Sequence, residues 1–545
     1  MEQPAATPNW ILLAGGGDED YEFWTTQFDL LKSHRATRPD ICSFIDVELK
    51  HGRDLEAAQE AIQLRSRHLP ILVIVNADLR SRGQNGTAEL PAISLIGRLQ
   101  QLASMPLIVK TENPPDTVLR SVIEHPHRLL WSDTPPAGET VDSALALALE
   151  DLVQPTSIRR LIISIAPSSS KFRIMFGSYT YTPQSVPHKA LEGVVGLIND
   201  SEYKPNPSDD LAEWLTKIQP VADRVFARMI SEPLGTPITS LIQETHLRPR
   251  TPNNGLSWLD LRFEIEPDKF DGYTLFNLPF ELIGSAHSDI LKKRHLCRHT
   301  PMARRLLLDE SPFIRKPEKK TFETQHTDKS NDTKRLLFIG INAQGELSIK
   351  SEKQKNSTTL PKLKHITTEK EYLISLAERL KGRLVVDVAD IKKKHNNELR
   401  AYLRNKIYEG HYDIIHFAGH GDTIDGTAFL AFPDKNQQVK PFSMASVYDW
   451  ISGGDCKLLV LSSCNGASED SAKAAMEAGA AGMLAFRWPV DDEQCVTFIQ
   501  HFYDAYFDEA TSHRISEAYR CACERTYRDS PTKPTWASAM AVVRD

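Results

Sequence analysis

Two short apolar runs in the second half of the chain end on the residue types that thiol chemistry needs. Asp413–Ala418 runs into Gly419-His420-Gly421, and Leu458–Ser462 runs into Ser463-Cys464-Asn465-Gly466. A thiolate is the nucleophile in such chemistry, and a neighbouring imidazole is the usual means of generating it near neutral pH. Both runs have the length and character of buried strands and stop at a small-residue turn. If the two strands are parallel in one sheet, His420 and Cys464 emerge at the same edge. Gly421 and Gly466 let backbone come close to a substrate carbonyl, so that N–H groups can face a developing oxyanion. His416 lies four residues before His420, on the same strand face but deeper, which predicts packing or a structural hydrogen bond. Asp413 and Asp422 are candidates for a third, orienting acid, and nothing in the spacing selects either.

The elements that would position this pair alternate strand and helix. Strands are expected at Arg335–Ile341, Leu384–Val388 and Gly482–Phe486 besides the histidine and cysteine strands, and a short hairpin at Thr427–Phe432. Helices are expected at Thr368–Leu380, opening on a Thr-x-x-Glu cap pattern, and at Asn396–Glu409, Met444–Ile451, Ser471–Gly479 and Glu493–Asp508. Residues 342–363 read as a polar loop. The fold class is α/β: a parallel-rich sheet flanked by helices, with functional loops at the carboxyl ends of its strands.

Upstream, residues 154–315 form another α/β stretch. Strands are expected at Leu161–Ile165, Phe172–Met175, Gly177–Thr182 and Trp258–Ile265, with a long helix at Asp210–Ile230. It holds no His–Cys pair at matching positions, and His299 and Arg304 read as structural or surface residues. Lys316–Lys334 is charged and poor in apolar groups, which predicts a flexible linker.

The first 153 residues alternate five strands (Trp10–Ala14, Ile41–Glu48, Pro70–Val75, Pro106–Lys110, Arg128–Ser132) with helices at Tyr21–Ser33, Arg53–Arg67, Ala92–Ala103, Asp116–Glu124 and Val141–Leu152. This (βα)5 layout predicts a parallel sheet covered on both faces. With Asp18, Glu19 and Asp20 after the first strand and Asp78 beyond the third, it resembles a response-regulator receiver domain. That resemblance implies a metal-holding acid cluster and a phosphoryl acceptor. The fifth strand departs from the pattern: it continues Trp131-Ser132-Asp133-Thr134-Pro135, where receivers place a lysine before the proline. The domain is therefore read as a sensor or docking module, its acids as loop residues or helix caps near a positive dipole end.

Composition narrows the function classes. The 545 residues are 41% hydrophobic and 25% charged, ordinary for a globular protein, and the net charge of −7 argues against nucleic-acid binding through bulk charge. No run approaches the roughly 20 apolar residues of a membrane span, and the first residues lack a signal-peptide pattern, so the reading is cytoplasmic with no membrane partner. Seven scattered cysteines fit a reducing compartment, and no metal site is expected.

His-Phe-Ala-Gly-His-Gly (His416–Gly421) followed by Ser-Ser-Cys-Asn-Gly (Ser462–Gly466) resembles the CHAT-domain caspase-like cysteine peptidases, relatives of caspases, separase and gingipain-type proteases. Leu278-Pro279-Phe280-Glu281-Leu282, Gly482–Asp492 and Trp536-Ala537 extend the resemblance over residues 155–545. It implies a Cys464–His420 dyad in a catalytic domain at 335–545, a non-catalytic companion at 154–315, and a regulated endopeptidase that needs no cofactor. Backbone N–H groups of Gly421 and Cys464 would stabilise the oxyanion. Trp488-Pro489-Val490-Asp491-Asp492 resembles the separase segment whose aspartate accepts Arg or Lys before the cut. Asp492 is the closest match, Asp491 and Trp488 are its neighbours in the pocket, and Arg487 is a cation that could pair with the acid instead. Relatives in bacterial defence or cell-death systems are activated through a sensor module and process protein targets such as gasdermins. A comparable effector substrate, and an activating partner docked on residues 1–153, are expected here. The alternative is a catalytically silent signalling or scaffold protein. A phosphorelay role through Asp78 is undercut by the missing lysine.

Overall fold

The computed structural model describes residues 10–34, 47–64, 69–76, 106–111, 128–131, 158–166, 171–176, 179–181, 210–226, 258–265, 278–283, 295–306, 333–350, 355–391, 396–424, 427–433, 439–452, 456–508 and 513–544, with single positions between them. The chain divides into two compact units. The first comprises residues 1–164, 171–185 and 233–260, and the second 165–170, 186–232 and 261–545.

In the first unit the apolar runs form a parallel sheet of β1 (Trp10–Ala14), β2 (Glu48–Gly52), β3 (Leu72–Asn76), β4 (Leu107–Lys110) and β5 (Arg128–Trp131), in the order β2-β1-β3-β4-β5. The second strand lies later than the expected Ile41–Glu48, of which residues 41–46 fall outside the described residues. Helix α1 (Asp18–Leu30) begins earlier than Tyr21, because Asp18, Glu19 and Asp20 suit the positive end of a helix and occupy its first turn. Helix α2 spans Leu55–Leu64. The core gathers Leu13, Ile74, Ile108 and Leu129 around Trp24 and Trp131, whose rings lie 5.7 Å apart. Later in the chain come β6 (Ile158–Ala166) and the antiparallel pair β7 (Lys171–Phe176) and β8 (Tyr179–Tyr181).

The second unit contains α3 (Leu211–Phe226), β9 (Trp258–Ile265), the short helix α4 (Leu296–His299), β10 (Met302–Leu306) and β11 (Lys334–Ile341). Next come β12 (Gly345–Lys350), β13 (Lys355–Leu360), α5 (Ile366–Arg379), β14 (Leu384–Val388), α6 (Asn396–Gly410), β15 (Ile414–Gly419), β16 (Gly421–Ile424), β17 (Thr427–Pro433) and β18 (Val439–Ser443). The chain ends with α7 (Met444–Ile451), β19 (Leu458–Ser462), α8 (Glu469–Glu477), β20 (Gly482–Phe486), α9 (Asp492–Tyr506), α10 (Ile515–Asp529), α11 (Thr535–Ser538) and β21 (Ala539–Val543).

Its large sheet runs β14-β11-β15-β19-β20-β21-β10-β9. The strands from β14 to β20 are mutually parallel, and β21 returns antiparallel on β20. Strands β15, β19 and β20 are buried almost throughout, as near-continuous apolar runs in a sheet covered on both faces must be.

Two sequence expectations change in this unit. Within residues 342–363, expected as a polar loop, β12 and β13 pair antiparallel and belong to a smaller sheet, ordered β13-β12-β18-β17-β16. Charged residues on a thin edge hairpin hide its period-2 pattern. The strand at Thr427 is also more than half of a hairpin, because β17 pairs with β16 on one side and β18 on the other. Residues 316–332 of the expected linker lie outside the described residues.

Candidate active site

Strands β15 and β19 are adjacent and parallel, with Ala418 opposite Ser462. His420 and Cys464 each lie two residues beyond that pair, so the register brings imidazole and thiol out at one carboxyl edge of the sheet. A Cβ built on Gly421 would lie 2.8 Å from the backbone oxygen of Cys464 and 3.0 Å from Ser463 Oγ, so only glycine lets the two loops touch here. After the cysteine the chain turns through Asn465 in the left-handed region (φ 54°), a conformation asparagine tolerates. The Asn465 side-chain amide then donates to Asp422 Oδ1 at 2.9 Å, tying the cysteine turn to the segment after the histidine.

His420 Nε2 lies 2.7 Å from the carbonyl oxygen of Pro361. A carbonyl only accepts, so Nε2 carries the proton and Nδ1 is the basic nitrogen of the neutral ring. The Cys464 thiol is held above its ordinary value, first by burial and further by the charges of Asp422 and Asp492, while the backbone N–H of Val490 acts in the opposite sense. The resting cysteine is a thiol in an acidic surrounding.

Behind the edge, His416 is completely buried. It is bonded through Nδ1 to Tyr503 Oη at 2.9 Å and through Nε2 to Glu369 Oε1 at 2.8 Å. Glu369 Oε2 accepts from Ser462 Oγ at 3.2 Å, two residues before the cysteine. His416 is thus the structural histidine its depth in the strand predicts.

The expected pocket residues divide in what they touch. Asp492 opens α9, and its Oδ2 accepts from the backbone N–H groups of Lys364 at 2.7 Å and His365 at 2.9 Å. Asp491 caps α9, its Oδ1 accepting from Glu493 and Gln494 N–H. Trp488 is buried, its ring edge against Trp214 at 5.2 Å, and its backbone exchanges hydrogen bonds with the Ser538 hydroxyl. Arg487 pairs with Glu281 at 3.2 Å, not with Asp492. Glu281 is the acid of the Pro-Phe-Glu-Leu run, and it meets Arg304 in a bidentate pair: Nε to Oε1 at 3.0 Å and Nη2 to Oε2 at 2.6 Å. Arg304 also donates to the carbonyls of Phe276 and Leu278.

Pro361, Glu369 and Asn342 were missed from sequence. Their partners lie far along the chain, and the only local signal is the prolyl residue ahead of an apolar-periodic helix. The Thr368–Glu371 cap pattern misplaces that helix: α5 starts at Ile366 after His365, which offers no side-chain cap, and Asp492 holds the two N–H groups just ahead of the helix, those of Lys364 and His365, from another element.

In the first unit, Asp20 Oδ1 binds Lys110 Nζ at 2.5 Å and Asp18 binds Arg53 at 2.6 Å. Strand β3 ends at Asn76, and Asp78 lies outside the described residues. Among the described residues no cluster of His, Cys, Asp or Glu could hold a metal ion, and no helix is long and apolar enough to cross a membrane.

No curated protein matches the chain. Two crystal structures of the Saccharomyces cerevisiae separase–securin complex show similarity at 10% sequence identity, over 74% of this chain and 31% of theirs, with TM-scores of 0.37 and 0.36. This chain therefore spans under a third of the length of the chains it resembles. The family model described as CHAT domain matches residues 264–544, beginning later than the start near 155 expected from motifs. That match takes in β10 to β21 with both the histidine and the cysteine loop, and covers more than half of the 545 residues: the chain belongs to the CHAT domain family.

Proposed function

We propose that this chain is a regulated cysteine endopeptidase that cleaves a partner protein after Arg or Lys. The observation that carries the reading is the register of β15 against β19, which delivers His420 and Cys464 together, with the imidazole held in one tautomer by Pro361. His420 Nδ1 takes the thiol proton as Cys464 Sγ attacks the peptide carbonyl. The N–H groups of Gly421 and Cys464 receive the oxyanion, and His420 returns the proton to the leaving amine. Water then hydrolyses the thioester, with His420 again the base.

The cation preference rests on charge. Asp422 and Asp492 both act on the nucleophile, and Arg487 is engaged elsewhere by Glu281. A basic side chain arriving beside these carboxylates would find a counter-charge and relieve part of the field that keeps the thiol protonated. Asp492 is the favoured pocket acid, with Asp491 and Trp488 shaping the segment that carries it. The first unit is proposed as the sensor or docking module, and a gasdermin-like effector is one substrate of the expected class.

The test is cleavage of a mixed fluorogenic peptide library by the wild type and by Cys464→Ala, sorted by the residue before the cut. Cleavage after Arg or Lys, lost in the variant, is the expected result. Cleavage after Asp would overturn the pocket. A wild type that stays silent with and without residues 1–153 would favour the scaffold reading.

A further inference from the structure

The carbonyl that orients His420 belongs to a short connection, residues 361–365, between β13 and α5. Such a connection has no ladder of its own, so the position of the Pro361 oxygen depends on what grips the neighbouring residues. Asn342 grips it from one side: its Nδ2 donates to Leu363 O at 2.6 Å and its Oδ1 accepts from Leu363 N at 3.0 Å. The side-chain amide thus pairs with one residue as a neighbouring strand would. Asp492 grips it from the other side through Lys364 N and His365 N.

The two anchors stand where the chemistry is. Strand β11 pairs with β15 so that Ile341 faces Gly419, which places Asn342 level with His420 on the adjacent strand. Asp492 is one of the two carboxylates that act on Cys464. Past the connection, α5 is fixed again by Glu369, which bonds His416 and Ser462.

We propose that Asn342 and Asp492 are positioning residues that suspend residues 361–365 between the histidine and cysteine loops and so set the Pro361 carbonyl that orients His420. This rests on the peptidase reading of His420 and Cys464. Asp492 thereby has two uses, one toward a substrate cation and one toward the base.

The test uses the full chain labelled with heavy nitrogen at histidine, with the His420 ring signal assigned by its loss in His420→Ala. In the wild type Nε2 should carry the proton, and its bond to Pro361 O should shelter that proton from exchange relative to a free imidazole. Asn342→Ala and Asp492→Ala should lose that sheltered proton while the protein melts cooperatively. Asp492→Asn keeps an acceptor oxygen for Lys364 and His365 and should retain it. Asn342→Asp, isosteric but without the donor to Leu363 O, should weaken the signal if the alanine variant proves too unstable. On a peptide substrate Asn342→Ala should lower kcat on the order of 100-fold with KM little changed, the scale of a misplaced reacting group.

The alkylation profile of Cys464 against pH gives a readout free of substrate. The groups acting on that thiol are Asp422, Asp492 and the backbone N–H of Val490. Asn342→Ala changes none of them, yet should move the profile upward by about one unit, the equivalent of one hydrogen bond to a charged group. An unchanged ring signal and profile in Asn342→Ala would overturn the proposal alone. If His420→Ala also leaves the alkylation profile unchanged, the dyad itself falls.

Discussion

The substitution Glu281→Gln tests whether the Pro-Phe-Glu-Leu run matters for its charge. The Glu281 carboxylate is 2% exposed and faces the Arg304 guanidinium, fully buried, and that of Arg487, 4% exposed. Burial pushes the Glu281 carboxyl up, but the charges of Arg304 and Arg487 outweigh it and hold the group below its ordinary value. Glutamine keeps the shape and removes the charge, leaving two buried guanidiniums facing each other with a neutral amide between them. Breaking a buried ion pair by removing one partner costs about 3–5 kcal/mol, and two stranded cations place this case at the upper end. For a unit of this size, about 2 °C per kcal/mol converts that to a midpoint lowered by about 6–10 °C.

The assay is thermal unfolding followed by near-ultraviolet circular dichroism, repeated from neutral to acid pH. A carboxyl whose folded pKa is depressed stabilises fully above its unfolded value of 4.5 and progressively less as pH falls through the folded value. The gap between wild type and variant should therefore stay level down to about pH 5 and narrow below it. Arg304→Met should cost less, because Glu281 keeps Arg487, and the double variant should cost less than the sum of the two. A Glu281→Gln midpoint within about 2 °C of the wild type, or a gap indifferent to pH, would refute the reasoning.

Gly421→Ala places a methyl 2.8 Å from the Cys464 carbonyl oxygen, which has backbone behind it. Peptide cleavage should fall on the order of 100-fold while the melting midpoint moves little, since the strain is local to the two loops. His416→Phe leaves the Glu369 carboxylate and the Tyr503 hydroxyl without their buried partner. It should cost about 3 kcal/mol or more in urea unfolding of the second unit. A variant as stable as the wild type would mean that Glu369 is satisfied without the imidazole.

The parts of this molecule that can be read from sequence are those whose cause is local. Strand β19 is buried in all five residues and appears in the sequence as Leu-Leu-Val-Leu-Ser, and the placement of His420 and Cys464 beyond one edge of the sheet follows once two such strands are neighbours. Helices α6, α7 and α9 were expected within two residues of their ends, because apolar period and caps are both written in the segment, as Asp491 before α9 shows. Hairpin β12–β13 was hidden because one thin strand pair carries Glu346, Lys350 and Lys355 where alternation should show. The start of α5 is misplaced for a different reason: the helix has no side-chain cap, and what holds the backbone just ahead of it is Asp492, more than a hundred residues away.

The same contrast explains why His420 and Cys464 stand out in the sequence and the contacts around them do not. Both residues follow strand ends, so sequence announces them by an apolar run and a small-residue stop. Around them lies a set of backbone contacts made by residues of unremarkable type: a proline carbonyl on His420, an asparagine amide on Leu363, a carboxylate on two N–H groups. None has a pattern, because each is defined by the register of β11 against β15 and by the approach of α9 to α5. Charge follows the same rule. Asp422 adjoins the His-Gly motif and is visible beside it, whereas the freedom of Asp492 from Arg487 is decided by Glu281 on a distant turn. The cation beside Asp492 in the sequence is therefore held by a glutamate on a distant turn, a pairing that no local pattern announces.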